Sequence, residues 1–209
     1  MINVIIADDH TIVRHGLRQI LSVENDIQTV AEAQNGQEVL EIVGDTKVDV
    51  VVLDIKMPGR NGLETLKELR RLHPEIAVIV LSMYPKDQYA VRVLKAGAAG
   101  YITKESAPDE LVAAIRKAYR GEKYIGPEIA ELLASYIEHG VADEPHKLLS
   151  DREYEVLCHI GSGKGITEIS MEMNLSVKTI STYRSRIIEK TGLSTNSEIM
   201  RYAIDHSLI

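Results

Sequence analysis

The sequence contains no Phe and no Trp, and Cys158 is the single cysteine among its 209 residues. One cysteine excludes an intrachain disulfide, which favours a reducing, cytoplasmic location. Without Phe and Trp, a hydrophobic core must be built mainly from Ile, Val, Leu, Met and Ala. The longest apolar runs, at 48–53 and 76–83, have the length of β-strands and are far too short to cross a bilayer. We therefore expect a globular protein with no membrane partner.

Positive charge is also scarce, because 24 Lys and Arg stand against 31 Asp and Glu and give a net charge of −7. Taken alone, this acidic balance argues against a nucleic-acid partner. The acidity is unevenly distributed, however, since residues 126–145 contain five acidic residues and no Lys or Arg. Residues 146–209 are balanced, with eight residues of each sign. The net charge of the whole chain therefore does not describe its parts.

Residues 1–121 alternate five times between a short apolar run and a segment whose apolar residues have helical spacing. Strands that are apolar on both faces are typical of a parallel sheet covered by helices on both sides. The pattern predicts an α/β fold with a doubly wound, five-stranded parallel sheet. The predicted strands cover residues 2–7, 27–33, 49–54, 76–81 and 99–103.

A linker and a small helical domain are predicted for the rest of the chain. Gly and Pro interrupt residues 122–147, which we interpret as a linker that contains an acidic helix near 128–138. Residues 148–209 have no strand pattern and are predicted to form four short helices, a small all-α domain. Ser150 and Glu153 have the spacing of a capping box and predict the start of the first of these helices.

Three acidic side chains stand where predicted strands end. Asp8 and Asp9 follow the first strand and Asp54 ends the third, and these strands are neighbours in a sheet of order 2-1-3-4-5. Adjacent carboxylates repel one another unless a cation lies among them, and oxygen ligands of this kind suit Mg²⁺. Ser82 ends the fourth strand and Lys104 follows the fifth, so that a hydroxyl and an ammonium face the same edge. This arrangement favours Asp54 as a nucleophile that accepts a phosphoryl group.

The alternative interpretation is that these acids merely solvate the strand ends, and for any single Asp it would be the better one. Five suitable residues at the ends of four strands argue against it. His10 lies beside the acidic pair and could touch a phosphoryl group at this site, although a surface role is the favoured interpretation.

The same residues resemble the active site of a known family. Together with 54–62 (Asp-Ile-Lys-Met-Pro-Gly-Arg-Asn-Gly) and 96–101 (Ala-Gly-Ala-Ala-Gly-Tyr), they are similar to the receiver domain of two-component response regulators. The resemblance covers residues 1–120 and implies that a sensor histidine kinase phosphorylates Asp54.

The resemblance also implies a role for each residue of the site. Ser82 and Lys104 would contact the phosphoryl group, and Tyr101 would be the aromatic switch that turns inward when Ser82 moves. The implied Mg²⁺ ligands are Asp8, Asp9, Asp54 and the backbone carbonyl of Lys56.

Positive charge is concentrated on one predicted helix of the C-terminal domain. A short helix at 167–173, a tight turn and a longer helix at 177–190 have the order of a helix-turn-helix unit. The longer helix carries four basic residues against Glu189 alone, several hydroxyl side chains and one apolar side. Such a helix suits the major groove of DNA, although a solvated amphipathic helix would have a similar pattern.

A second resemblance favours DNA. The segments 149–157 (Leu-Ser-Asp-Arg-Glu-Tyr-Glu-Val-Leu) and 175–184 (Leu-Ser-Val-Lys-Thr-Ile-Ser-Thr-Tyr-Arg) are similar to the LuxR-type helix-turn-helix. A receiver followed by this domain resembles the NarL/FixJ class of response regulators, and the run at 181–186 resembles its GacA/UvrY/BvgA-like branch. By position, the side chains expected to face bases are Ser181, Thr182 and Ser185. Those expected to contact phosphates are Lys178, Thr179, Tyr183, Arg186 and Lys190.

The sequence therefore predicts a phosphorylation-controlled, DNA-binding transcriptional regulator and not an enzyme with a substrate of its own. Phosphorylation of Asp54 is expected to switch homodimerisation and binding to paired promoter half-sites. The last helix is predicted to form a dimer seam with Ile199, Tyr202, Ala203 and Ile204. The alternative is a protein–protein signalling module whose receiver acts without phosphorylation.

Overall fold

The computed structural model describes residues 1–82, 88–126, 129–131, 134, 145–206 and 208–209. The chain forms two compact units, Met1–Ala134 and Ser135–Ile209, which are described in turn. No helix in these described ranges is both long and apolar enough to cross a membrane.

The N-terminal unit is a parallel sheet with helices between its strands. The strand order is β2-β1-β3-β4-β5-β6, so that the predicted order of five parallel strands is confirmed and one short strand is added. The elements are β1 (Ile2–Ala7), α1 (Thr11–Ser22), β2 (Ile27–Ala33), α2 (Gly36–Asp45), β3 (Val50–Asp54), α3 (Gly62–Leu72), β4 (Ala77–Ser82), α4 (Gln88–Lys95), β5 (Gly100–Thr103), α5 (Ala107–Tyr119) and β6 (Tyr124–Ile125).

The central strands are apolar along their whole length because both faces of the sheet are covered. Every residue of β3 is buried. Side chains alternate between the two faces of a strand. Val50 and Val52 belong to a core that includes Leu17 of α1 and Leu111 of α5. The intervening Val51 is equally buried, so a strand that alternated apolar and polar residues would not suit this position.

The added strand β6 lies in the segment predicted as linker. The Tyr124 N–H donates to the carbonyl oxygen of Ala99 at 2.8 Å, and Gly100 pairs with Tyr124. A Cβ atom at Gly100 would lie 3.1 Å from the Tyr124 Cβ, so the missing side chain allows this close approach. The linker helix predicted near 128–138 lies mostly outside the described residues, of which 129–131 and 134 are helical.

The described residues of the C-terminal unit, 145–206 and 208–209, form helices and no strand, as predicted. A 3₁₀ turn (Pro145–Leu148) precedes four helices, α6 (Asp151–Gly161), α7 (Ile166–Glu172), α8 (Val177–Thr191) and α9 (Asn196–Asp205). The predicted capping box is confirmed, because the Ser150 side chain accepts from the Glu153 N–H while the Ser150 N–H donates to Glu153 Oε2 at 2.8 Å. Ser176 caps α8 in the same way, accepting from the Thr179 N–H.

The last helix packs into its own unit, which changes the predicted dimer seam. Ile199 and Ala203 are fully buried, and a Cβ atom at Gly161 of α6 would lie only 2.6 Å from the Ala203 Cβ. Two of the four predicted seam residues are therefore core residues that cannot face another molecule. Ile204, with 59% of its surface exposed, can still do so.

Gly62 provides a test of how tightly the sheet edge is packed. A Cβ atom there would lie 2.1 Å from the Asp54 carbonyl oxygen. We expect Gly62→Ala to lower the free energy of unfolding by about 1–3 kcal/mol, the usual result of forcing an extra methyl group into a packed site. Urea unfolding followed by circular dichroism measures the change.

Gly16→Ala is the matched control, because Gly16 is exposed within α1 and a Cβ atom would meet nothing within 4 Å. This variant should be as stable as the parent or more stable by up to about 1 kcal/mol. Equal stability of the two variants would contradict the close approach.

Candidate functional site

Two buried carboxylates and one ammonium meet at the carboxyl edge of the sheet. Asp8 follows β1, Asp54 ends β3 and Lys104 follows β5, so the parallel arrangement brings the three side chains to one place. The Lys104 Nζ lies 2.6 Å from Asp8 Oδ2 and 2.7 Å from Asp54 Oδ2. Both carboxylates are almost completely buried, at 0% and 2% exposure. A single cation thus links the ends of three strands.

Burial and charge oppose each other at Asp54. Burial raises the pKa of Asp54 to about 6, with a further increase from the Asp8 charge, although the hydrogen bond and charge of Lys104 act to lower it. Burial alone would lower the pKa of Lys104, but its contacts with Asp54 and Asp8 outweigh this effect and raise it. Lys104 therefore remains an ammonium that favours ionised carboxylates on either side of it.

The acidic cluster fits a divalent cation. Asp8, Asp9, His10 and Asp54 each offer one ligand atom, and these atoms all lie within 4.8 Å of one another. The three carboxylates carry three negative charges when ionised and Lys104 compensates one of them, so two remain for a cation. Beyond its ion pair with Lys104, the buried Asp8 Oδ2 has no hydrogen-bond donor in the described part of the chain. Carboxylate oxygens in this number suit Mg²⁺.

The other predicted receiver residues lie in the strands around this cluster. Ser82 ends β4 and is 2% exposed, and its carbonyl oxygen accepts the Lys104 N–H at 2.8 Å. Tyr101 of β5 is 1% exposed, with its ring inside the unit. The Lys56 N–H donates to Asp54 Oδ1 at 3.3 Å. The Lys56 carbonyl ligand and the movement of Tyr101 stay predictions.

Arg14, which its sequence pattern does not single out, supports the site through the backbone of Asp8. This side chain of α1 is 6% exposed and donates to the Asp8 carbonyl oxygen at 2.7 Å, while its Nε lies 3.2 Å from Glu32 Oε2. Arg14 therefore links the end of β1 to α1 and β2. Its only signal in the sequence is a basic residue on the apolar side of an amphipathic helix, which also fits an exposed side chain.

The second helix of the helix-turn-helix unit presents one polar, basic side. Ile180 and Ile187 of α8 are fully buried in the core. A different, polar part of the same helix has a concave surface. This surface is lined by Ser176, Lys178, Thr179, Thr182, Tyr183 and Arg186. Four of the five residues predicted to contact phosphates are therefore together, and Thr182, predicted to face bases, lies among them.

The three hydroxyl groups predicted to face bases share one geometry. Ser181, Thr182 and Ser185 each donate to the backbone carbonyl four residues earlier, at 2.9, 2.9 and 3.1 Å. The hydroxyl hydrogens are therefore already used within the helix, and each hydroxyl can only accept a hydrogen bond from another molecule through its oxygen lone pairs.

Comparison with known proteins agrees with both halves of this description. Residues 4–116 match the family "Response regulator receiver domain", and residues 147–203 match the family "Bacterial regulatory proteins, luxR family". The receiver match alone covers more than half of the chain. The chain belongs to the response regulators.

Relatives that match the whole of this chain narrow the class of response regulator to which it is similar. It is 40% identical to response regulator GacA of Pseudomonas viridiflava over 210 residues, which cover 100% of this chain and 98% of the relative. It is 39% identical to response regulator UvrY of Escherichia coli K12 over 209 residues, covering 100% and 96%. The predicted class, GacA/UvrY-like members of the NarL/FixJ group, is confirmed.

Solved structures of a similar response regulator have the same two domains. RcsB of Salmonella typhimurium is 28% identical with a TM-score of 0.75, and the match covers 98% of this chain and 97% of that one. RcsB of Salmonella enterica bound to promoter rprA with the phosphomimetic BeF₃⁻ is 29% identical with a TM-score of 0.70, covering 96% and 97%. The family consists of transcriptional regulators and not of enzymes, as the sequence predicts.

Lys190 of this response regulator has a different environment from the other predicted phosphate contacts. Its Nζ lies 2.6 Å from Glu153 Oε2, the same oxygen that accepts the Ser150 N–H at the start of α6. Glu153 is 2% exposed. Lys190 therefore neutralises a buried carboxylate and links the end of α8 to the start of α6.

The buried Glu153 predicts a pH-dependent stability of the C-terminal unit. Burial acts to raise the pKa of Glu153, but hydrogen bonds from Lys190 and Ser150 outweigh it and keep the pKa below the ordinary value of 4.5. A carboxyl whose pKa is lowered by folding stabilises the fold above its unfolded pKa, and this stability is lost as the pH falls through the folded value. Protection of the α6 and α8 amides in hydrogen exchange should thus decrease below about pH 4.5.

Two variants test this prediction. Lys190→Met should reduce the protection of the same amides at pH 7 by about 1–3 kcal/mol, because it leaves the Glu153 charge buried and uncompensated. Glu168→Gln is the matched control, since Glu168 is exposed on α7. Protection of Lys190→Met equal to that of the control would show that the ion pair contributes nothing to the unit.

Proposed function

We propose that this response regulator is switched by transfer of a phosphoryl group from a sensor histidine kinase to Asp54 with Mg²⁺. In this proposal residues 1–121 are the receiver, 122–147 the linker and 148–209 the DNA-binding domain. One observation carries it: the buried Asp54 carboxylate contacts Lys104 beside the carboxylates of Asp8 and Asp9. Such a site combines a nucleophile with fixed positive charge.

The transfer is a displacement at phosphorus. An oxygen of the Asp54 carboxylate attacks the phosphorus atom, and the bond from phosphorus to the kinase histidine nitrogen breaks, with its electron pair leaving on nitrogen. The product is an acyl phosphate on Asp54. Asp8, Asp9, Asp54 and the Lys56 carbonyl would hold Mg²⁺, which would supply positive charge to the phosphoryl oxygens.

Lys104 and Ser82 act at the phosphoryl oxygens in this proposal. The Lys104 ammonium contacts Asp54 Oδ2 and exchanges part of this contact for the new phosphoryl group. The backbone N–H of Lys104 donates a hydrogen bond to the Ser82 carbonyl oxygen, so the ends of β4 and β5 move together when the phosphoryl group is added. Tyr101 lies in β5 and pairs with Ile125 of β6, which connects the switch to the beginning of the linker.

We further propose that the phosphorylated protein is a homodimer that binds paired half-sites of double-stranded DNA with α8 in the major groove. The DNA-bound RcsB structures and the basic side of α8 support this. Ser181, Thr182 and Ser185 face bases, and their lone pairs suit the amino groups of cytosine or adenine. The phosphate contacts are Lys178, Thr179, Tyr183 and Arg186, with Lys190 as the most peripheral one.

Phosphorylation of Asp54 is tested with a small acyl phosphate as donor. The chain incubated with donor and Mg²⁺ should gain one hydroxylamine-sensitive phosphate and bind promoter DNA more tightly, while Asp54→Ala should do neither. Asp45→Ala is the control, because Asp45 is an exposed acid at the end of α2. Phosphate gained equally by Asp54→Ala and by Asp45→Ala would contradict the assignment, and unchanged DNA binding of the phosphorylated parent would favour a phosphorylation-independent signalling module.

The two lysines of α8 should differ in their contribution to DNA binding. Lys178→Ala is expected to weaken binding to all DNA sequences about equally. It should also reduce the slope of the logarithm of the binding constant against the logarithm of salt concentration by about 1, as loss of one phosphate contact does. Lys190→Ala should change the salt dependence less, since its ammonium is paired with Glu153. Fluorescence anisotropy at several salt concentrations measures both. A relaxed choice of sequence in Lys178→Ala would mean that this side chain reads bases.

A further inference from the structure

His10 directs its imidazole into the acidic cluster. It is the N-cap residue of α1, yet its side chain makes no capping hydrogen bond. The ring Nδ1 instead lies 2.7 Å from Asp9 Oδ1 and 3.3 Å from Asp8 Oδ1. The His10 N–H also donates to Asp8 Oδ1, at 2.8 Å. Backbone and ring of one residue thus face the same carboxylate oxygen.

Lys104 and His10 approach Asp8 through different oxygens. Lys104 contacts the Oδ2 atom and His10 the Oδ1 atom, so the ammonium does not stand between the ring and the carboxylates of Asp8 and Asp9. His10 is 66% exposed in its side chain, which leaves the ring room to turn about χ1 and χ2.

The spacing of the donor atoms is close to that required by one ion. Two ligands on opposite sides of a small divalent cation lie about 4.2 Å apart, because each bond is about 2.1 Å long. The donor atoms of Asp8, Asp9, His10 and Asp54 span at most 4.8 Å. Shifts of a few tenths of an ångström bring all four into range.

We propose that His10 Nδ1, on releasing to solvent the proton that it donates to the Asp9 and Asp8 carboxylates, is a nitrogen ligand of the cation at this site. The inference rests on the proposed function, since it concerns the same cation. An imidazole among the carboxylates favours later divalent transition ions such as Co²⁺, whereas oxygen ligands alone suit Mg²⁺. The site thereby accepts a wider class of metal than its carboxylates alone indicate.

The test compares metal affinity and metal ligation in the full chain. Titration calorimetry gives the dissociation constants for Co²⁺ and Mg²⁺ in the parent and in His10→Asn. Loss of the imidazole should weaken Co²⁺ about tenfold, as loss of a group that supports a metal does. The dissociation constant for Mg²⁺ should change by less than about threefold.

Ligation is read directly from the electron spin echo of the Mn²⁺-loaded protein. Coupling of Mn²⁺ to an imidazole ¹⁴N nucleus is expected in the parent and absent in His10→Asn. His15→Asn is the matched control, since His15 is an exposed histidine on the same helix and should leave both the coupling and the affinities unchanged. Circular dichroism of each variant checks that the fold is intact.

Two results would overturn the inference: no ¹⁴N coupling in the parent, or the same coupling and Co²⁺ affinity in His10→Asn. Neither depends on phosphorylation. Failure of Asp54 to accept phosphate with Mg²⁺ would instead contradict the proposed function, while the nitrogen coupling could still be observed. The two failures are therefore distinguishable.

Discussion

The site depends on one electrostatic constraint: the Lys104 ammonium lies between the buried carboxylates of Asp8 and Asp54. Two carboxylates without a cation would repel each other and become protonated at this depth. Lys104 relieves the repulsion while leaving the cluster negative. Asp8 follows β1, Asp54 ends β3 and Lys104 follows β5. A change in their contact therefore affects the ends of three strands at once.

Much of the fold and part of the site could be predicted from the sequence, because both are expressed locally. A strand such as β3 that is buried on both faces has to be apolar throughout, and this pattern can be read directly. Parallel strands bring their carboxyl ends to one edge, so acids after β1 and β3 are close in space whatever the loops do. The helix start at Ser150 can be read equally well, since a capping box uses residues only three positions apart.

Features that depend on distant partners could not be predicted. Arg14 is a buried support of Asp8 only because Glu32 of β2 lies within reach. Lys190 resembles the other basic residues of α8 until Glu153 is seen beside it. The apolar side of α9 indicates a contact surface, but the sequence does not say whether α6 or a second molecule covers Ile199 and Ala203. In each case the sequence indicates the type of contact that the residue makes but does not identify the residue that it contacts.

The two-residue strand β6 has a consequence for the behaviour of the chain in a crowded solution. Without it, β5 would end the sheet with backbone N–H and C=O groups open to another chain, a common starting point for aggregation. The pairing of Tyr124 and Ile125 with Gly100 and Tyr101 occupies part of that edge. The segment that follows α5 thus protects β5 from edge-to-edge pairing with another chain, and proteolysis just before Tyr124 would leave the edge of β5 exposed.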